Sequence, residues 1–117
     1  MVSPSAGAVV LVRFPFSDLS SAKVRPAIIL ASAGRDDWIL CQVTSNPYAD
    51  PGALKIEEAD FAQGSLQRTS YARPGKLFTA NSSLMIALVG SLKAECHKRI
   101  VAAVVRLLQA SVQASGS

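Results

Sequence analysis

The stretch Gly7–Leu30, GAVVLVRFPFSDLSSAKVRPAIIL, decides how the rest of the chain is read. Ala8–Phe14 (AVVLVRF) is β-branched and apolar, the pattern of a strand that reaches the centre of a sheet. Pro15-Phe16-Ser17-Asp18 stops it, and Ser20-Ser21-Ala22-Lys23 continues a polar loop. Pro26–Ala31 (PAIILA) is a second strand. Arg25 stands directly before Pro26, and a proline pushes the preceding residue toward an extended backbone. A guanidinium is thereby held at the start of a strand with little conformational freedom. The plain alternative is a solvated arginine beside a turn proline, and spacing alone favours it.

Outward from this stretch, Ala33–Asp37 is a turn cluster and Trp38–Thr44 (WILCQVT) a third strand, so strands two and three form a hairpin. Ser45–Gly52 (SNPYADPG) is a loop rich in turn formers. Ala53–Glu57 reads as a short strand, and Phe61–Thr69 is ambiguous. Ser70–Ala72 reads as a strand interrupted at Arg73-Pro74-Gly75 and resumed by Lys76–Thr79. Leu84–Val89 is an apolar run that fits strand or helix. Lys93–Gln109 is the clearest helix. Its stripe is Cys96, Ile100, Val104 and Leu107, widened by Val101, Val105 and Leu108. Ser91 is the expected N-cap, after Gly90. Residues 1–7 and 110–117 read as unpacked ends. The expected fold is mainly β, a small antiparallel barrel with a C-terminal helix.

Length and composition bound the answer. A chain of 117 residues is one domain, here 1–117 with its core at about 7–109. With 50% apolar and 17% charged residues it has the means to bury a core, which excludes a disordered chain. The net charge of +4 suits a nucleic acid or an acidic protein as partner and does not choose between them. Cys41 and Cys96 belong to no CxxC pair, so no zinc site is expected. Buried thiols in a reducing cytoplasm are the simpler reading. The N-terminal apolar run breaks at Arg13, and no stretch reaches the roughly 20 residues of a membrane span. A soluble cytoplasmic protein without membrane contact is expected.

The usual catalytic inventories fail. The single histidine, His97, lies on the helix, where no spacing ties it to a serine nucleophile. No glycine-rich phosphate loop appears. The carboxylates are scattered, and the adjacent pairs Asp36-Asp37 and Glu57-Glu58 point to opposite faces on a strand. No metal or other cofactor is expected.

Three pieces taken together resemble the MazF/PemK family of toxins from bacterial toxin–antitoxin modules. The first is Gly7–Leu30 itself. The second is Cys41-Gln42-Val43-Thr44-Ser45, similar to the end of the family's third strand. The third is Ser70–Phe78 (SYARPGKLF), similar to a segment of the PemK-like branch. The resemblance covers about residues 7–109. It implies an SH3-like barrel, a homodimer, and an inhibiting MazE/PemI-like antitoxin, through which alone operator DNA is bound. It also implies a metal-independent endoribonuclease that cuts single-stranded RNA at short motifs, leaving a 2′,3′-cyclic phosphate and a 5′-hydroxyl. By motif position Arg25 matches the catalytic arginine and Thr44 the catalytic threonine. Some members carry a histidine in the first loop and an arginine and aspartate in the segment matching Tyr71–Arg73. Here the loop lacks a histidine and the segment reads Tyr71-Ala72-Arg73, so those roles do not transfer.

The remaining RNA-binding candidates are Pro15, Phe16, Lys23, Ser45, Asn46, Tyr48 and Arg73. Phe16 and Tyr48 offer stacking surfaces, and Lys23 a backbone contact. Arg73 is either a phosphate contact or a turn residue before Pro74. Trp38 is expected in core or dimer packing, and His97 as a solvated helix residue far from the site. Two other classes fit part of the pattern. One is a gyrase poison of the CcdB type, which expects a Trp-Gly-Ile helix ending that this chain lacks. The other is an inactive barrel that only binds RNA or antitoxin.

Overall fold

The computed structural model describes residues 3–14, 23–48 and 50–115. Pro15, Phe16 and most of the first loop lie outside the described residues.

Among the described residues, seven strands form one antiparallel sheet, and one α-helix packs on it. The strands are β1 (Ala8–Phe14), β2 (Lys23–Gly34), β3 (Asp37–Thr44), β4 (Leu54–Ile56), β5 (Phe61–Gly64), β6 (Ser70–Asn81) and β7 (Met85–Leu92). Their order across the sheet is β4-β6-β3-β2-β1-β7-β5. The helix α1 spans Ala94–Ser115. The sheet curls into a half-barrel, so the mainly-β architecture with a C-terminal helix holds.

Alternation along the central strands builds two apolar layers. Val9, Ile28 and Cys41 are cross-strand neighbours and face α1, where Cys96, Ile100 and Val104 meet them. Val10, Ala27, Ile29 and Leu40 belong to the opposite layer with Val12, Ala80 and Met85. Val9, Val10, Ile28, Ile29 and Leu40 are fully buried. Such side chains are each worth about 1.5–3 kcal/mol on burial, which fixes the register of β1, β2 and β3.

Several elements differ from the sequence reading. The second strand starts at Lys23, not Pro26, because Lys23, Val24 and Arg25 pair with Phe14, Arg13 and Val12 of β1. The third segment is one strand, not two. Its register against β3 jumps from Cys41↔Leu77 to Gln42↔Arg73, so Pro74-Gly75-Lys76 bulge outward while pairing resumes on both sides. The ambiguous run at Leu84–Val89 is strand, and β7 runs on through Ser91. Ser91 is therefore not the helix cap. Leu92 still pairs with Phe61, and its N–H donates to the Gly7 carbonyl. The first helical bond instead runs from the His97 N–H to the Lys93 carbonyl. Gly90 is needed where it stands, since a Cβ there meets the Gln63 carbonyl oxygen at 2.5 Å.

The ends also differ. Gly7 is buried, and its N–H donates to the Ile29 carbonyl at 2.8 Å. The helix continues to Ser115, beyond the predicted Gln109. Residues 105–112 are all exposed, so the apolar stripe facing the core ends at Val104.

Candidate functional site

The ladder between β2 and β3 ends at Ala27↔Gln42. The next residue of β2 is Pro26, which has no N–H to donate to a neighbouring strand. Counted on in the same register, Arg25 stands across from Thr44. The two strands part at this point, and a cleft of about 320 Å³ opens between them. Val24, Arg25 and Pro26 line one side, Val43, Thr44 and Ser45 the other, and Leu66, Arg68 and Ser70 complete it.

Three site residues predicted from sequence thus meet in one place: Arg25, Thr44 and Ser45. Arg25 is exposed, as a cation that meets a charged ligand must be. Its backbone is fixed by pairing with Val12 and by Pro26. The Thr44 hydroxyl donates to the Asn46 carbonyl at 3.1 Å and accepts from the Asn46 N–H at 3.1 Å. A hydroxyl oxygen has a second lone pair, so Thr44 still has an acceptor site toward the cleft. Its proton reaches a ligand only by leaving the Asn46 carbonyl.

Two residues of the cleft were not singled out from sequence. Arg68 is a second, exposed cation, and Ser70 is the one buried polar residue among those described. Arg68 comes from the segment whose pattern was ambiguous, and Ser70 opens the strand read after it. Only the pairing of β6 with β4, Ile56↔Ser70, brings them to the mouth. Arg68 sits between Gln67, at φ 61°, and the start of β6. No periodicity signals such a placement. Among the described residues no carboxylate lines the cleft, and neither arginine has a carboxylate partner. The pocket is therefore electropositive.

The other candidates fall nearby or elsewhere. Lys23 begins β2, two residues from Arg25, and is exposed. Asn46 and Tyr48 follow Thr44 on the loop, and Tyr48 is 94% exposed. The Arg73 Nε donates to Asp50 Oδ2 at 2.9 Å, and Arg73 is not among the cleft-lining residues. His97 is not the solvated residue expected. It is half-buried, and its Nε2 lies 3.1 Å from the Leu30 carbonyl, on the α1 side of the sheet. It does not line the cleft. Trp38 packs against the second apolar layer, partly buried.

The remaining nucleophiles are unsuited to catalysis. Burial pushes the Cys41 thiol up to about 12, and its Sγ donates to the Arg73 carbonyl at 3.1 Å. Burial also raises the Cys96 thiol. A thiol held neutral is a poor nucleophile. Among the described residues, no group of three His, Cys, Asp or Glu side chains is placed to hold a metal ion. No helix among them is long and apolar enough to cross a membrane.

No protein-family model matches the sequence, and no curated protein sequence does. Solved structures do match, by shape. MazF from Deinococcus radiodurans is 18% identical with a TM-score of 0.72, covering 93% of this chain and 99% of its own. An endoribonuclease in complex with its cognate antitoxin, from a mycobacterial species, is 15% identical with a TM-score of 0.70. The match covers 92% of this chain and 96% of that one. The Mycobacterium tuberculosis toxin MazF-mt6 is 14% identical with a TM-score of 0.66, over 87% and 96% of the two chains. The chain has the MazF fold, over nearly its whole described length.

Proposed function

We propose that the protein is the toxin of a toxin–antitoxin module and acts as an endoribonuclease on single-stranded RNA. The observation that carries this reading is the joint placement of Arg25, Arg68 and Thr44 around one cleft without a carboxylate. Fold likeness to an endoribonuclease and to MazF toxins supports the same class.

RNA brings its own nucleophile, so no activated protein side chain is required. The 2′-oxygen attacks the adjacent phosphorus, the P–O5′ bond breaks, and the 2′-proton is lost as O5′ gains one. The products are a 2′,3′-cyclic phosphate and a 5′-hydroxyl. Charge builds on the phosphoryl oxygens in the transition state. A fixed guanidinium at Arg25 donates two hydrogen bonds there. Thr44 adds a hydroxyl contact, breaking its bond to the Asn46 carbonyl to donate. Each such donor is worth a few kcal/mol of barrier. Arginine stays protonated far above neutral pH, so Arg25 stabilises charge rather than removing the proton. Arg68 grips a neighbouring phosphate. Lys23, Ser45, Asn46 and Tyr48 flank the path of the strand, Tyr48 as a stacking surface, and Pro15 and Phe16 belong to the same RNA-binding set.

An acidic antitoxin segment would compete with RNA for these cations, and its affinity falls with salt. A homodimer belongs to the same reading. Val101, Val105, Leu108 and Val112 recur at steps of four, three and four along α1, and the last three are exposed. That spacing suits helix-to-helix packing between two copies. A cytoplasmic location and operator binding only through the antitoxin complex complete the proposal.

The test is cleavage of a mixed RNA by purified protein in excess EDTA, with the ends mapped. Cyclic-phosphate ends are expected. A single 2′-deoxy substitution on the 5′ side of the cut abolishes cutting there. Cleavage that needs added Mg²⁺, or that survives the 2′-deoxy substitution, overturns the mechanism.

A further inference from the structure

The third strand ends at Thr44, and the chain returns as β4 at Leu54. The loop between them is held by its own hydrogen bonds. Thr44 Oγ1 bonds twice to the backbone of Asn46. Asn46 Oδ1 accepts the Tyr48 N–H at 3.2 Å. The Pro47 carbonyl accepts the Asp50 N–H at 2.9 Å, and Asp50 Oδ1 accepts the Gly52 N–H at 3.0 Å. The bonds run in steps of two or three residues, as in side-chain-capped turns. A loop bonded only to itself fixes its own shape but not its aim.

Asp50 supplies the aim. Its second carboxylate oxygen, Oδ2, accepts the Arg73 Nε–H at 2.9 Å. Three ion pairs occur among the described residues. In this one alone are both side chains mostly buried, at 24% and 18% exposure, against 57% and 55% for Lys55–Glu57. Arg73 is also precisely seated: its residue pairs with Gln42 just where β6 bulges, and bulges re-aim side chains. Its carbonyl accepts the Cys41 Sγ–H at 3.1 Å, which holds the backbone from behind. Every contact thus fixes Arg73 toward the loop.

We propose that Arg73 is a positioning residue, and that its pair with Asp50 clamps the loop so that Thr44 and Tyr48 are presented to RNA beside Arg25. The inference rests on the ribonuclease reading for its substrate, but the clamp itself does not. It replaces a direct phosphate contact by Arg73, because the side chain is turned to Asp50 through its Nε and does not line the cleft. Tyr48, almost fully exposed, is then a stacking surface on a preset arm rather than a floppy side chain on a mobile loop.

Two variants distinguish clamp from contact by the sign of their effects. Asp50→Asn is isosteric, removes an anion and weakens the pair. Arg73→Gln removes the cation. If the pair is a clamp, both lower single-turnover cleavage in the same direction, by about tenfold. Arg73→Lys, which keeps the charge, recovers part of the loss. If Arg73 contacts a phosphate instead, Arg73→Gln weakens binding and reduces the salt slope by about one, whereas Asp50→Asn tightens binding. Opposite signs overturn the proposal. Should Arg73→Gln fail to fold, Asp50→Asn decides alone by the same sign. Amide hydrogen exchange at Tyr48 and Gly52 gives a readout independent of RNA. Both variants are expected to lose protection there, and unchanged protection overturns the clamp. A wild-type protein that cuts no RNA removes the functional reading and leaves the exchange result standing.

Discussion

The two ends of the β2–β3 pair are built on opposite rules. At one end the strands are closed by Arg35 and Asp36, both with positive φ, at 53° and 64°. Two such residues in succession form the tight hairpin turn whose twist matches that of the strands. The turn is then fastened. The Asp36 carbonyl accepts the Ser82 N–H at 2.8 Å, and Asn81 Nδ2 donates to Asp37 Oδ1 at 3.0 Å. At the other end the ladder stops at Pro26, the strands part, and two arginines face a cleft without carboxylates. At the closed end Asp36 bonds to Ser82, and Asp37 to Asn81. At the open end the guanidiniums of Arg25 and Arg68 are left for a ligand. The lesson is that one pair of strands separates its structural polar groups from its working ones along its length. Asp36 and Thr44 are eight residue steps apart, roughly 26 Å of extended chain.

If that division is real, changes at the open end should cost activity and spare stability. Arg25→Ala carries the largest expected effect. Its single-turnover cleavage rate should fall by about 10²-fold or more, the loss typical of removing a transition-state charge donor. Its melting temperature should stay within a degree or two, because Arg25 is exposed. A folded Arg25→Ala protein with near wild-type rate would place the chemistry elsewhere. His97→Ala should stay within a few-fold in rate, since His97 lies across the sheet against Leu30.

Thr44→Ala comes next, at roughly tenfold in rate. The hydroxyl also ties Asn46, so loop order and chemistry change together. Thr44→Ser separates them: it keeps the hydroxyl for both roles and should restore most of the rate. Failure of serine to rescue would mean that the methyl group, not the hydroxyl, is what the cleft uses.

At the closed end the expected signs reverse. Asn81→Ala removes the donor to Asp37 and the acceptor that receives the Ser83 N–H. The cost should be about 1 kcal/mol in denaturant unfolding, with cleavage of RNA unchanged. A large loss of rate would show that the two ends are coupled and the division false.

The comparison also explains what could be read from the sequence. The closed end was legible because turn chemistry is local: Gly34-Arg35-Asp36 announces a turn between two apolar runs. Strand β1 and the buried stripe of α1 were legible from periodicity. Pro26 made Arg25 conspicuous, again a local signal, but both Arg25 and Thr44 became catalytic candidates only through a family likeness. Arg68 and Ser70 were missed because their place depends on β4 pairing with β6, across a segment with no clean pattern. Arg73 was visible as a cation, but its partner Asp50 is 23 residues away and nothing in either neighbourhood announces the pair. The helix was predicted to stop near Gln109 because small polar residues read as a tail. Ala110, Ser111 and Val112, which extend it, are exposed, so core patterning had nothing to report there.

The smallest effect is expected at Trp38, and its sign is informative. Trp38 packs its indole against the layer of Leu40, Ala80 and Met85, next to the fastened hairpin. Its Nε1 is buried and, among the described residues, has no hydrogen-bond partner. An unsatisfied buried donor costs about 1–3 kcal/mol relative to its being bonded. Trp38→Phe deletes that donor and also some buried ring area, which costs a similar amount. The two should nearly cancel, leaving stability within about 0.5 kcal/mol of wild type, whereas large-to-small changes of a packed aromatic to alanine cost about 3–5 kcal/mol. Chemical denaturation of Trp38→Phe beside Trp38→Ala measures both. A Phe variant that loses as much as the Ala variant would show that Nε1 is bonded in solution, to water or to a second copy. That would make Trp38 a polar anchor rather than the one loose group at the closed end.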